Sequence, residues 1–124
     1  MAAMRRALAV PTILAGVLLL WPARAGAHAF LARADPRVGS TAAGSPAAVT
    51  LTFTESIEPT FSRVEVVDGD GKPVETGAAE HPAPDTLRVP LPQLAAGTYT
   101  VHWSVVSIDT HATEGSFKFT VSAR

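Results

Sequence analysis

Four side chains of this sequence could act together on a metal ion: His28, Glu55, Asp109 and His111. Their use depends on where the working chain begins. Arg5 and Arg6 precede an apolar stretch from Ala7 to Trp21, and Ala25-Gly26-Ala27 follows. A basic segment, an apolar core and a small-x-small tripeptide are the parts of a secretory signal peptide. The stretch contains Pro11 and runs for about 15 residues, short of the ~20 that a spanning helix needs. Cleavage after Ala27 would discard residues 1–27 and leave a domain of residues 28–124 that starts on His28.

A histidine in first position is a chelator, because its α-amino nitrogen and its Nδ1 reach one ion from one residue. Asp109 and His111 are two apart, so on extended backbone their side chains project to the same side. Together these groups offer three nitrogens and a carboxylate oxygen. Such a tetragonal set suits Cu(II) or Ni(II), and Cu(II) heads the affinity order of the divalent first-row metals. Zinc accepts the same donors but favours a tetrahedron. Cu(I) seeks thiolate or thioether sulfur; the chain has no cysteine, and both methionines, Met1 and Met4, fall in the leader. The expectation is one Cu(II) per chain. Glu55 is the fourth candidate, either as a further ligand or as the carboxylate that orients a ligand histidine.

Each residue also has a plainer reading. A histidine after a cleavage site can be an accident of the terminus, Asp-x-His in a loop can be ordinary turn chemistry, and Glu55 can be a solvated strand-end carboxylate. The weight lies in their conjunction. His102, on the polar face of a strand, and His81, between Glu80 and Pro82 in a loop, are read as solvated or locally paired residues outside the set.

The elements that must gather these residues read as short strands. Val49, Leu51 and Phe53 alternate with Thr50, Thr52 and Thr54; Val64 and Val66 flank Glu65. Tyr99, Val101, Trp103 and Val105 form the longest alternating run, and Phe117, Phe119 and Val121 the last. A period of two buries one face of each. Asp68-Gly69-Asp70-Gly71 is a turn signal. A short strand is expected near Pro73–Glu75, and another over residues 86–91, where Pro90 and Pro92 place it at an edge or end it. No helix longer than a turn is expected. About seven strands make an all-β sandwich, and Gly97-Thr98-Tyr99-Thr100-Val101 has the spacing of a tyrosine corner, which opens the sixth strand of immunoglobulin-like folds. If strands run alternately up and down, the start of the first and the ends of the even-numbered ones share a pole. His28, Glu55, Asp109 and His111 would then meet there.

Composition bounds the partners. Without the leader the chain carries seven basic residues against eleven acidic ones, a net charge near −4. Nucleic acid and anionic membrane surfaces are excluded as partners on that balance. With no disulfide, stability must come from a hydrophobic core, which the remaining 97 residues can supply as one domain.

The sequence resembles the CopC family of periplasmic copper-resistance proteins. The matching stretches are His28-Ala29-Phe30-Leu31 with Asp35-Pro36, Leu51-Thr52-Phe53-Thr54-Glu55, Phe61-Ser62, Gly97 through Ser107, and Asp109-Thr110-His111 with Gly115-Ser116-Phe117. The resemblance implies an immunoglobulin-like or cupredoxin-like Greek-key β-sandwich (or barrel) that carries copper in the periplasm. It implies a Cu(II) site at His28, Asp109 and His111, with Glu55 at the position of a further ligand or supporting group. Some members bind Cu(I) on a methionine-rich loop at the opposite pole; this chain keeps no methionine there and fits the Cu(II)-only type. The resemblance also implies an inner-membrane CopD-like recipient. The processed domain is expected to be a monomer without stable membrane insertion, and a carrier or buffer, not an enzyme. The competing class is a histidine-brace copper monooxygenase, which also uses an N-terminal histidine and a second one. Against it, Asp109 would fill a position that oxygen chemistry needs open.

Overall fold

In the computed structural model residues 28–123 are described, and the expected leader lies outside them. Among the described residues eight strands follow in order: β1 (Leu31–Asp35), β2 (Thr41–Ala43), β3 (Ala48–Phe53), β4 (Arg63–Val67), β5 (Glu80–Ala83), β6 (Thr86–Pro90), β7 (Gly97–Val106) and β8 (Ala112–Ser122). One turn of 3-10 helix, Pro59–Phe61, precedes β4. The strands form two four-stranded sheets, β1-β3-β6-β5 and β2-β8-β7-β4. This is the all-β sandwich that the alternation implies.

Alternation decides what lies between the sheets. Val49, Leu51 and Phe53 of β3, with Leu87 and Val89 of β6, face Val66, Val101, Trp103, Val105, Phe117 and Phe119 of the other sheet, and all are buried. The ring of Phe53 meets Trp103 edge-on with centroids 5.3 Å apart, and Tyr99 stacks on Phe119 at 5.6 Å. Such aromatic pairs add stabilisation beyond their buried area. The Tyr99 hydroxyl donates to the carbonyl of Ala95 at 2.7 Å, four residues upstream, which is the tyrosine corner.

Three expectations need correction: the strand near Pro73, the loop around His81 and the count of about seven strands. The strand near Pro73–Glu75 is only an isolated bridge between Val67 and Pro73. A strand forms instead at Glu80–Ala83, so His81 belongs to β5 and not to a loop. It holds Pro82 and lies at a sheet edge, where a missing amide leaves no gap in a ladder. β2 has no apolar alternation to betray it; its three small residues are held parallel to the end of β8. β6 lies between β3 and β5 and stops at Pro90, so of the two roles read for that proline it ends the strand.

The poles follow from strand direction. β2 runs parallel to β8, as β1 runs antiparallel to β3, so β1 and β2 act as one strand that changes sheet far from His28. β3 and β7 therefore run toward the pole of His28, and β4, β6 and β8 run away from it. The added β2 leaves the up-down count intact because it does not reverse the chain.

Candidate metal centre

The N-terminal arm is fixed by one buried residue and two threonines. Ala29 is wholly buried, while His28 and Phe30 on either side point outward. The Phe30 amide donates to Thr54 Oγ1 at 2.9 Å, and the Thr54 amide returns a bond to the Phe30 carbonyl at 2.8 Å. On the other side, Thr113 Oγ1 donates to the Ala29 carbonyl at 2.6 Å. The arm is thus held by the end of β3 in one sheet and by the start of β8 in the other.

His111 is presented by the turn between β7 and β8. The Thr110 amide bonds to the Ser107 carbonyl at 2.8 Å and the Ser107 amide to the His111 carbonyl at 2.9 Å, closing the turn. Thr110 sits at φ 68°, a left-handed conformation that a β-branched residue seldom adopts. Asp109 and His111 are therefore on a tight turn and not on extended backbone. Strand alternation does not govern their side chains, and the turn itself sets their relation. The segment after β3 is stitched to this turn: Ile108 donates to Ser56 at 3.2 Å, Glu58 to Val106 at 2.8 Å, and Ile57 bridges Ser107. This brings the backbone beside Glu55 to the backbone beside Asp109.

The outcome at side-chain level is specific. The imidazoles of His28 and His111 lie with centroids 4.8 Å apart and planes at 76°. Two imidazoles that bind one ion side by side, each nitrogen about 2.0 Å away, hold their centroids about 4.5 Å apart. The observed pair is within a few tenths of that separation. Phe30 flanks it, its ring 6.2 Å from His28. His28, Asp109 and His111 are exposed and Glu55 is half-buried. Among the described residues no group of three or more His, Asp or Glu side chains is gathered for one ion. The structure brings the two histidines together and does not bring Asp109 or Glu55 into a cluster with them. In the unprocessed chain the backbone nitrogen of His28 belongs to the peptide bond with Ala27, so the amine expected to act as a ligand exists only after cleavage.

The surroundings favour a cation. Phe53 donates to the Asp85 carbonyl and Ile57 to that of Pro84, which places the β5–β6 turn at this pole. Glu55, Glu58, Asp85 and Asp109 all lie in its turns, and Arg63 at the start of β4 is the first basic residue after Glu58. A surface of one sign raises the local concentration of counter-ions. The other histidines make no ring contact with the pair, although His81 lies at the same pole, on the β5–β6 hairpin. His102 projects from β7 opposite Glu65 and Ser116, and His81 Nε2 lies 3.1 Å from the Pro84 carbonyl. An open groove of 720 Å³ lies on the flank of the sandwich, lined by Arg63, Glu65, Gly77, His102 and Trp103, and includes neither His28 nor His111. Thr54, Ser107, Thr110 and Thr113, which set this geometry, carry no signal of that role in sequence, since their contacts are to backbone.

The fold has counterparts among known proteins. The CopC domain model matches residues 31–122. Copper resistance protein C of Xanthomonas campestris pv. juglandis is 35% identical over 107 residues, covering 80% of this chain and 84% of that protein. The crystal structure of CopC from Methylosinus trichosporium OB3b is 36% identical with a TM-score of 0.71, over 77% of this chain and 94% of that one. The structure of PcoC, a methionine-rich copper resistance protein from Escherichia coli, is 31% identical with a TM-score of 0.72, over 77% of this chain and all of that one.

Proposed function

This chain belongs to the CopC family, and from that premise we propose that its processed form is a periplasmic carrier or buffer for one Cu(II) ion. The observation that carries the proposal is the pair of exposed imidazoles, His28 and His111, 4.8 Å apart at an acidic pole. The ion would be held by the α-amine and Nδ1 of His28, by His111, and by Asp109 from the same turn. Glu55 would act from the adjoining segment as a further ligand or as a support for a ligand histidine. Asp109 has to swing toward the imidazoles to complete the set, which an exposed turn residue can do at small cost.

The oxidation state follows from the donors. Nitrogen and carboxylate oxygen suit Cu(II), and a soft sulfur ligand for Cu(I) is missing after Met4. PcoC is described as methionine-rich; this chain departs from it on that point. Exchange of cargo then needs a recipient that offers its own ligands, and a CopD-like transporter of the inner membrane is the proposed one. Asp109 as a ligand would fill a position that oxygen chemistry needs open, so the carrier reading stands ahead of the monooxygenase one.

The test is a competition titration of the processed protein with Cu(II). One equivalent should bind, and His111→Ala should weaken binding at least about tenfold while the melting temperature of the metal-free protein stays unchanged, because the ring is exposed. Equal affinity of the wild type and His111→Ala would overturn the assignment.

A further inference from the structure

We propose that Thr113 is a positioning residue for the chelating terminus, its hydroxyl locking the arm that carries His28 onto the strand that carries His111. The inference rests on the Cu(II) reading above and adds to it a group that touches no metal. Thr113 Oγ1 donates to the carbonyl of Ala29 at 2.6 Å, a short hydrogen bond between residues 84 apart in sequence. The acceptor belongs to the residue directly after His28. The donor lies two residues after His111, at the start of β8.

A small closed path results. It runs from His28 through Ala29 to the Thr113 hydroxyl, then back through Ala112 to His111. Two residues on one side of one hydrogen bond and three on the other limit how far the backbones that carry the two imidazoles can separate. The bonds between Phe30 and Thr54 cannot do this, because they tie the arm to β3 in the other sheet. Threonine suits this role because β-branching restricts χ1, so the hydroxyl is already aimed before the arm docks. Burial of Ala29 holds the acceptor in place, and the half-buried setting of Thr113 limits competition from water.

An arm ordered in advance loses less conformational freedom when the ion binds, and the saving appears as affinity. A net worth typical of one hydrogen bond corresponds to about a 2- to 12-fold change in Kd. The saving applies only when the terminus is a ligand. A chain with one glycine added ahead of His28 has its free amine displaced, and Thr113 should then be without effect on copper.

The experiment is a four-protein cycle: native terminus or glycine-extended terminus, each with Thr113 or with Thr113→Val, titrated with Cu(II) against a competing chelator. Thr113→Val keeps the shape and removes the donor. The expected result is a weakening within that range in the native-terminus protein, no change in the extended one, and recovery by Thr113→Ser. No weakening at the native terminus, or equal weakening at both, would overturn the proposal; the latter would mark a general structural role. Equal Cu(II) affinity of the two Thr113 proteins would instead overturn the terminal-ligand reading itself, so the two failures are distinct. Melting temperatures of the metal-free proteins check folding, and if Thr113→Val unfolds, Thr113→Ala takes its place in the cycle with the same two outcomes.

Discussion

Gly115→Ala should destabilise the sandwich although alanine is the smaller hazard in most strands. Gly115 of β8 is paired with Trp103 of β7. A Cβ at that position would lie 2.5 Å from Trp103 Cζ2, 2.8 Å from Cε2 and 3.1 Å from Nε1. Carbon atoms rest at about 3.5–4.0 Å, so the indole must retreat by roughly 1 Å. Phe53 packs against the indole at 5.3 Å and opposes its retreat into the core, while the other side of the indole opens on the flanking groove. Overpacking of this kind costs about 1–3 kcal/mol. The opposing gain from a less flexible unfolded chain is about 0.4–1 kcal/mol, so the clash prevails. For a domain near 97 residues each kcal/mol moves Tm by about 4–8 °C, and the mid-range net loss of about 1.3 kcal/mol predicts a fall of roughly 5–10 °C. Thermal unfolding followed by tryptophan emission is the assay, because Trp103 is the only tryptophan after the leader. A shift in native-state emission should accompany the fall, and Trp103→Phe should relieve part of the clash in the double variant. An unchanged or raised Tm would show that the indole yields without cost and would overturn the prediction.

Three further outcomes are expected. Tyr99→Phe removes the bond to Ala95, whose exposed carbonyl can turn to water, so the loss should be about 0.5–1.5 kcal/mol in chemical denaturation; a larger loss would mean that the corner is worth more than its hydrogen bond. Cu(II) affinity should fall as the solution is acidified from pH 8 to pH 5, because a proton on the α-amine competes with the ion and binding must release it; titrations at fixed ionic strength check this, and flat affinity would exclude the amine as a ligand. Glu80→Gln breaks the 2.7 Å ion pair with Arg88, yet Glu80 is exposed and Arg88 partly so, and stability should change by less than about 1 kcal/mol in the same denaturation assay.

Much of the architecture was legible because burial imposes a period of two. Val49–Phe53, Tyr99–Val105 and Phe117–Val121 show it and became β3, β7 and β8. β2 and β5 escaped notice for a physical reason: Thr41-Ala42-Ala43 and Glu80-His81-Pro82-Ala83 bury almost nothing, and backbone ladders alone define them. At the site, strand direction sufficed to place His28 and the Asp109–His111 turn at one pole. The approach of the two imidazoles lay beyond strand direction, which brings elements to one pole without setting contacts between side chains. The relation between Asp109 and His111 was misread because a left-handed Thr110 replaces extended backbone with a turn. Nothing in residue type announces that conformation for a threonine.

Processing is proposed to turn His28 from an ordinary surface histidine into a chelator. The decisive comparison sets the Cu(II) affinity of the chain beginning at His28 against that of the same chain carrying one extra glycine, by competition titration at neutral pH. The added residue should weaken binding by orders of magnitude while the metal-free proteins melt at the same temperature. Equal affinity of the two chains would mean that the free amine holds no copper, and the terminal chelate would have to be abandoned.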